Sequence, residues 1–311
     1  MPSWLKDSQT MKKIFKGIRP KKSRSKKDKR KKIITAPLPE TQVWEQVGTR
    51  PGTKFSRLIA GSALDLGQRR ENNEDALFCL SGALGSSEEN DPLGIYIIAD
   101  GMGGHRNGEL ASVTAVRAIG SYLIGKLYKP VFSLDHHPAD ESLREIMESA
   151  VLEAHKAVKK AAPGGGCTLT AALVVGSQLV IAHMGDSRAY VIPKEGNIKA
   201  LTKDHSLVKR LQEMGQLTEE EAAIHPQKSV LYRALGQGDL VQADIFNSNM
   251  PNPGYLLICS DGLWGFVDDK KIQRIVNESP SADLACQRLI EAANDAGGPD
   301  NISVVLARLV N

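Results

Sequence analysis

A chain of 311 residues with 41% hydrophobic and 24% charged side chains has ordinary globular composition and the length for one large domain or two small ones. The net charge of +4 hides an asymmetry, because residues 12–32 carry 13 Lys or Arg against Asp28 alone, whereas residues 33–311 carry 26 basic and 34 acidic side chains. No apolar run approaches the ~18 residues of a membrane span, no apolar signal core opens the chain, and Cys79, Cys167, Cys259 and Cys286 form no C-x-x-C pair; these features argue against a membrane protein, a disulfide framework and a zinc site, and predict buried thiols in a cytoplasmic protein.

Lys12 to Lys32 is too charged to bury a face, and Ile33 to Thr53 has several Pro and Gly and no sustained period, so residues 1–54 read as a disordered basic extension and linker. The folded domain is expected over 55–311, beginning with a strand-like SRLIAGSALDLG that ends at Gly67. ALFCL and GIYIIAD follow as short buried strands, the second running into Asp100. Leu110, Val113, Val116, Ile119, Leu123 and Leu127 recur every three or four residues and predict an amphipathic helix; a second is predicted over about Glu141 to Lys160. TLTAALVVG, LVIAHMG and RAYVIP are separated by short glycine turns and predict three antiparallel neighbours. Residues 203–238 read as an irregular excursion. VQADIF and YLLICSDG then resume the core, Ser279 with Pro280 predicts a helix start, and Ile302 to Leu309 is the last strand.

Four carboxylates stand out against this pattern: Asp75 in RENNEDA, Asp100 in DGMGG, Asp261 in SDGLW and Asp300 in GPDN. The last three fall where an apolar segment breaks at glycine. Any one such aspartate is more often a turn residue, but four delivered by separate elements suit a hard cation, since magnesium and manganese prefer oxygen ligands in octahedral geometry.

In order, GQRRENNEDA, IIADGMGGH, GGCTLTAALV, IAHMGDSRAYVI, LTKDHS, YRALG, LLICSDGLW and GGPDNISVVL resemble the protein phosphatase 2C (PPM) family in its bacterial serine/threonine phosphatase form, over roughly Phe55 to Val310. The resemblance implies an α+β fold, a four-layer α-β-β-α sandwich of two antiparallel β-sheets flanked by helix pairs, with a pair of Mn2+ or Mg2+ ions at one end. It implies that Asp75, Asp100, Asp261 and Asp300 hold the metals, with the Gly101 carbonyl assisting and Asp186 helping to hold a third. Glu74 would contact water held by the metals, and Arg70 would grip the substrate phosphate, a role its planar fork suits. Two metals would activate a shared water for attack on phosphoserine or phosphothreonine and shield the developing charge. Met102 stands where animal members have a histidine assigned as general acid, so the proton donor to the leaving oxygen is open between His105 and metal-held water. Cys167 and Gly265 also depart from the common threonine and carboxylate, and bear on the third metal.

Plainer roles stand beside these. Asp186 fits a hairpin cap as well as a ligand; Arg69 and Arg70 are both candidates for a solvated surface arginine; His105 fits a packing or capping role; His183 reads as a satisfied core histidine; His136 and His137 fall in a loop. The whole chain has two rival readings: a catalytically silent phosphoprotein- or partner-binding module, and a hydrolase of small phosphate esters. Four mutually repelling carboxylates without cations count against the silent module. By resemblance the protein's partners are phosphorylated proteins and an antagonist serine/threonine kinase. The basic tail fits a solvated extension, an anionic membrane surface through residues 1–32, or nucleic acid, the last lacking aromatic residues in the run for stacking.

Overall fold

A period of two along successive strands builds the molecule. The structure is a computed structural model that describes residues 56–85, 90–103, 106–128 and 141–310; the basic tail, His105, His136 and His137 lie outside them. Eleven strands form two sheets among the described residues, and all the pairings are antiparallel. The first sheet runs β1 (Arg57–Asp65), β11 (Ile302–Val310), β10 (Gly254–Cys259), β7 (Arg188–Pro193), β8 (Lys199–Ala200). The second runs β2 (Asp75–Gly85), β3 (Asn90–Met102), β5 (Leu169–Val175), β6 (Gln178–Met184), β9 (Asp244–Asn249), with the short β4 (Gly166–Cys167) paired to the end of β3.

Each strand divides its side chains between two apolar layers. In β3, Ile95, Ile97 and Ala99 pack toward the helices α1 (Arg106–Leu123) and α2 (Leu143–Ala161), whereas Tyr96 and Ile98 pack between the sheets with Leu179, Ile181, Ile258, Val305 and Ala307. The first sheet turns Tyr190, Leu257, Val304 and Leu306 outward onto α6 (Asp269–Glu278) and α7 (Ala282–Asp295). These layers make the four-layer α+β sandwich expected from the resemblance. α2 is started by a capping box in which Ser142 accepts from the Glu145 N–H and Glu145 accepts from the Ser142 N–H. No helix among the described residues is long and apolar enough to cross a membrane.

Three expectations are corrected. The buried face of α1 is Ala111, Ala115, Val116, Ile119 and Leu123, while Leu110 is exposed, because the small alanines let the helix sit close on the sheet. RAYVIP is not a neighbour of LVIAHMG: β6 ends in one sheet and β7 begins in the other, the chain crossing at Gly185, whose positive φ of 104° redirects it. Ser279 ends α6 instead of starting α7; Ser281 is the cap, accepting from the Leu284 N–H, and Pro280 lies in the link between the two helices. Residues 203–238 do leave the sheets, carrying the short helices α3 (Leu207–Glu213) and α4 (Glu219–Ala223). Of the thiols, Cys167, Cys259 and Cys286 are buried and Cys79 is half-buried, all four reduced.

Candidate active site

The inter-sheet layer is apolar along its length and turns polar at one end. Following the alternation outward, Ile98 gives way to Asp100, Leu77 to Asp75, Ile258 to Ser260, Val305 to Ser303, and Ala172 to Thr170 and Thr168. One rim of the sandwich therefore collects the carboxylates from both sheets. Asp75 and Asp100 are directly opposed across the β2–β3 ladder, a position at which like charges repel. Asp261 follows Ser260 as the first residue of α5 (Asp261–Trp264), and Asp300 stands just ahead of β11.

Hydrogen bonds between distant segments fix this rim. Thr168 donates its N–H to the Asp100 carbonyl at 2.8 Å, and its Oγ1 accepts from the Asp100 N–H at 2.9 Å. The Ser260 Oγ accepts from the Ser303 N–H at 3.0 Å, and the Ser260 N–H donates to the Ser303 carbonyl at 3.1 Å, tying Asp261 to the strand that Asp300 precedes. Asn301 is 4% exposed: its Oδ1 accepts from the Glu74 N–H at 2.8 Å, and its Nδ2 donates to the carbonyls of Leu66 at 2.8 Å and Asn72 at 3.1 Å. The loop bearing Arg70, Glu74 and Asp75 is thus held on the segment bearing Asp300. Gly101 donates to the Glu74 carbonyl, and a side chain at Gly101 would collide with the Gly108 backbone at the start of α1. The Glu74 carboxylate lies against Gly108.

The charges so gathered are poorly satisfied by the protein itself. Both carboxylate oxygens of Asp75 and Oδ1 of Asp261 are buried without a hydrogen-bond partner. Burial, then the charges of Asp261 and Asp300, pushes Asp75 up to about 7; the hydroxyls of Ser260 and Ser303 approach it and lower it partway, without closing a bond onto its oxygens. Burial and then Asp300 push Asp261 up to about 6, offset by a hydrogen bond with Asp100. Asp100 is held well above the usual carboxylate range by burial, then by Asp75 and Asp261. Buried oxygens without partners and carboxylates pushed upward by one another are what a hard cation would satisfy. Among the described residues no three His, Cys, Asp or Glu side chains already stand in a closed ligand shell.

Asp186 lies in the crossover turn between β6 and β7 and is also held well above the usual range, by burial and then by Asp261. Its position depends on residues that sequence reasoning left without a role. Trp264 of α5 donates its indole N–H to the Asp186 carbonyl at 3.0 Å. The Arg188 guanidinium stacks 3.4 Å from the Trp264 ring centroid and makes a two-pronged pair with Asp204, at 2.8 and 2.7 Å. His205 accepts from the Gly185 N–H through Nδ1 at 3.2 Å and faces Asp244 through Nε2 at 3.1 Å. His183 is the satisfied core histidine expected: the Lys203 carbonyl can only accept, so Nε2 carries the hydrogen, Nδ1 lies 3.0 Å from the Thr170 hydroxyl, and burial pushes its pKa down to about 4. Arg188, Asp204, Trp264 and Asn301 all sit inside the motifs GDSRAYV, LTKDHS, SDGLW and GPDN; their membership was visible, their pairings were not.

Arg70 is half-exposed and its Nη2 donates to Asp300 Oδ2 at 2.7 Å, while Arg69 makes no such pair. Met102 is half-buried, with the Gln237 amide 3.8 Å from its sulfur.

The chain resembles known proteins over the same segment. It is 37% identical over 247 residues to a serine/threonine phosphatase, stp, of Listeria welshimeri, covering 78% of this chain and 92% of the relative. It is 36% identical over 249 residues to the protein phosphatase PhpP of Streptococcus pneumoniae, covering 79% and 95%. Among solved structures, the catalytic domain of the serine/threonine protein phosphatase PstP, in complex with two manganese ions, superposes with a TM-score of 0.65 at 30% identity, over 82% of this chain and 100% of the other. Residues 68–307, which contain every carboxylate of the rim, match the family model described as protein phosphatase 2C, and this chain belongs to that family.

Proposed function

We propose that the carboxylate rim is a binuclear Mn2+ or Mg2+ centre and that the protein is a metal-dependent phosphatase of phosphoserine and phosphothreonine in proteins. The observation that carries the reading is the set of buried carboxylates with unpartnered oxygens at one end of the sandwich, in a chain of this family. Asp75, Asp100, Asp261 and Asp300 are the residues to hold the pair, with the Gly101 carbonyl beside them and Asp186 toward a third cation. When bound, the cations supply Lewis acidity, which makes a water nucleophilic near neutral pH and neutralises charge on the phosphoryl oxygens. Arg70, paired with Asp300, is the residue proposed to orient the phosphate through its planar fork, and Glu74, anchored through its backbone to Asn301 and Gly101, the one proposed to orient water. The donor of a proton to the leaving Ser or Thr oxygen is His105 or water; His105→Ala with metal affinity intact distinguishes them, a loss of about tenfold or more in kcat assigning the role to the histidine.

Phosphate release from a phosphothreonine peptide, with manganese or with EDTA, tests the reading in wild type and Asp261→Asn. Turnover that needs manganese and collapses in the variant is the expected result; manganese binding without turnover would favour the silent module or a small ester. An antagonist serine/threonine kinase is the partner that the family resemblance supports. For residues 1–32 the 13 basic side chains of 12–32, together with Trp4, Leu5, Met11, Ile14, Phe15 and Ile18, support peripheral contact with anionic lipid. Salt-sensitive binding to phosphatidylserine vesicles, lost when residues 1–32 are deleted, is its test.

A further inference from the structure

The carboxylates of the rim are not equally ready for a cation. Asp75 and Asp261 present partnerless oxygens, so a metal approaching them displaces no protein group at those atoms. Asp300 has both oxygens engaged, Oδ1 by the Asn301 N–H at 2.8 Å and Oδ2 by Arg70 Nη2 at 2.7 Å. The Asn301 contact is built into the backbone of the turn. The arginine contact is not: it joins residues 230 apart, and its side chain is 48% exposed, with Asp300 at 30%.

We infer that Arg70 is a placeholder cation, which occupies a ligating oxygen of Asp300 in the metal-free protein and is transferred to the substrate phosphate when the metals load. The inference rests on the metal-centre reading above and extends it to the order of events. In the metal-free protein the guanidinium answers the partly exposed carboxylate of Asp300, and it stands also in the field of Glu74 and Asp100. A dication at Asp300 reverses that field. Like charges a few ångströms apart repel, so the arginine leaves Oδ2, while its half-exposed stem lets the fork turn toward an incoming phosphate dianion. One side chain thus opposes metal binding slightly and then serves phosphate binding, and the phosphate-gripping arginine becomes available only after metal has entered. Arg69 has the same charge one residue earlier and makes no such pair, so it separates specific competition from the general effect of a nearby positive charge.

The experiment is Mn2+ binding to the full chain by isothermal titration calorimetry without substrate, comparing wild type, Arg70→Ala and Arg69→Ala. Both variants change an exposed side chain, and thermal melting in EDTA verifies that they fold. The expected result is an Mn2+ affinity about twofold to fivefold tighter in Arg70→Ala, the range for loss of a partly exposed ion pair, with Arg69→Ala indistinguishable from wild type. In EDTA the Arg70→Ala protein should melt below wild type, and saturating Mn2+ should close that gap. Equal tightening in both variants would show a general field effect, and unchanged or weaker binding in Arg70→Ala would show that the arginine does not compete; either overturns the inference while leaving the metal centre standing. Absence of Mn2+ binding by wild type would overturn the metal-centre reading and this inference with it.

Discussion

Replacing Asn301 with alanine removes a side chain that ties three backbone groups of the 66–74 loop to the segment bearing Asp300. It accepts from Glu74 and donates to Leu66 and Asn72, across 227 to 235 residues of sequence, from a position 4% exposed. Each such bond is worth about 1 kcal/mol net, and each buried group left orphaned adds desolvation, so the loss should be about 3–4 kcal/mol. At ~2–4 °C per kcal/mol for a domain of this size, the melting temperature in EDTA should fall by about 6–16 °C. Urea unfolding followed by tryptophan fluorescence measures the free energy, and calorimetry the melting shift. Because the same loop carries Arg70, Glu74 and Asp75, Mn2+ affinity and kcat should fall together. Asn301→Asp keeps the acceptor but loses both donors and adds a negative charge beside Asp300; it should be worse than alanine in EDTA and partly rescued by Mn2+. A loss under about 0.5 kcal/mol in Asn301→Ala, with metal affinity unchanged, would refute the view that this side chain assembles the rim.

Two further outcomes follow from the same geometry. With Asp75 raised from 3.8 to about 7 and Asp261 to about 6 in the folded, metal-free protein, the unfolded chain loses these protons first as pH rises, so stability present below about pH 4 is lost as pH climbs through 6 and 7. Calorimetry in EDTA should therefore show a lower melting temperature near pH 8 than near pH 5, and Mn2+ should raise it more at the higher pH; the reverse order would mean that the carboxylates are not buried together. Trp264→Phe keeps a ring for Arg188 to stack on but removes the N–H that holds the Asp186 carbonyl, and should lose about 1 kcal/mol by urea unfolding. Trp264→Ala also removes the stacking surface and should lose about 2 kcal/mol more; no loss in Trp264→Phe would refute a role for that bond, and equal losses in the two variants a role for the stacking.

Local signals located the elements well where one face is buried and the other is not. The capping box at Ser142 and Glu145 and the alternation of GIYIIAD are written in neighbouring residues, which is why α2 and β3 appear close to where they were expected. The misplacements share a cause. Gly185 reads the same whether it closes a hairpin or carries the chain to another sheet, and only Tyr190 and Ile192, which require the helix-facing layer of the first sheet, decide between them. Likewise Ser279 and Ser281 are equivalent caps on paper, and the packing of Ala282, Ala285 and Leu289 under β1 and β11 selects the second.

The chain's own residues, read in order, determined most of the strands and helices and the four aspartates beside their ends, because strand period and end-of-element carboxylates are local properties, while the four-layer α+β sandwich came from the family resemblance that the motif order carries. The tertiary structure alone decided which groups answer those charges: Asn301 bridging 66–74 to Asp300, Trp264 holding Asp186, Arg188 gripping Asp204, and Arg70 on Asp300. These bonds join residues up to 235 apart, and no local periodicity encodes them. They exist because two sheets that bury a shared apolar layer bring their polar ends to the same rim, where the protein leaves oxygens of Asp75 and Asp261 unpaired for a cation to complete.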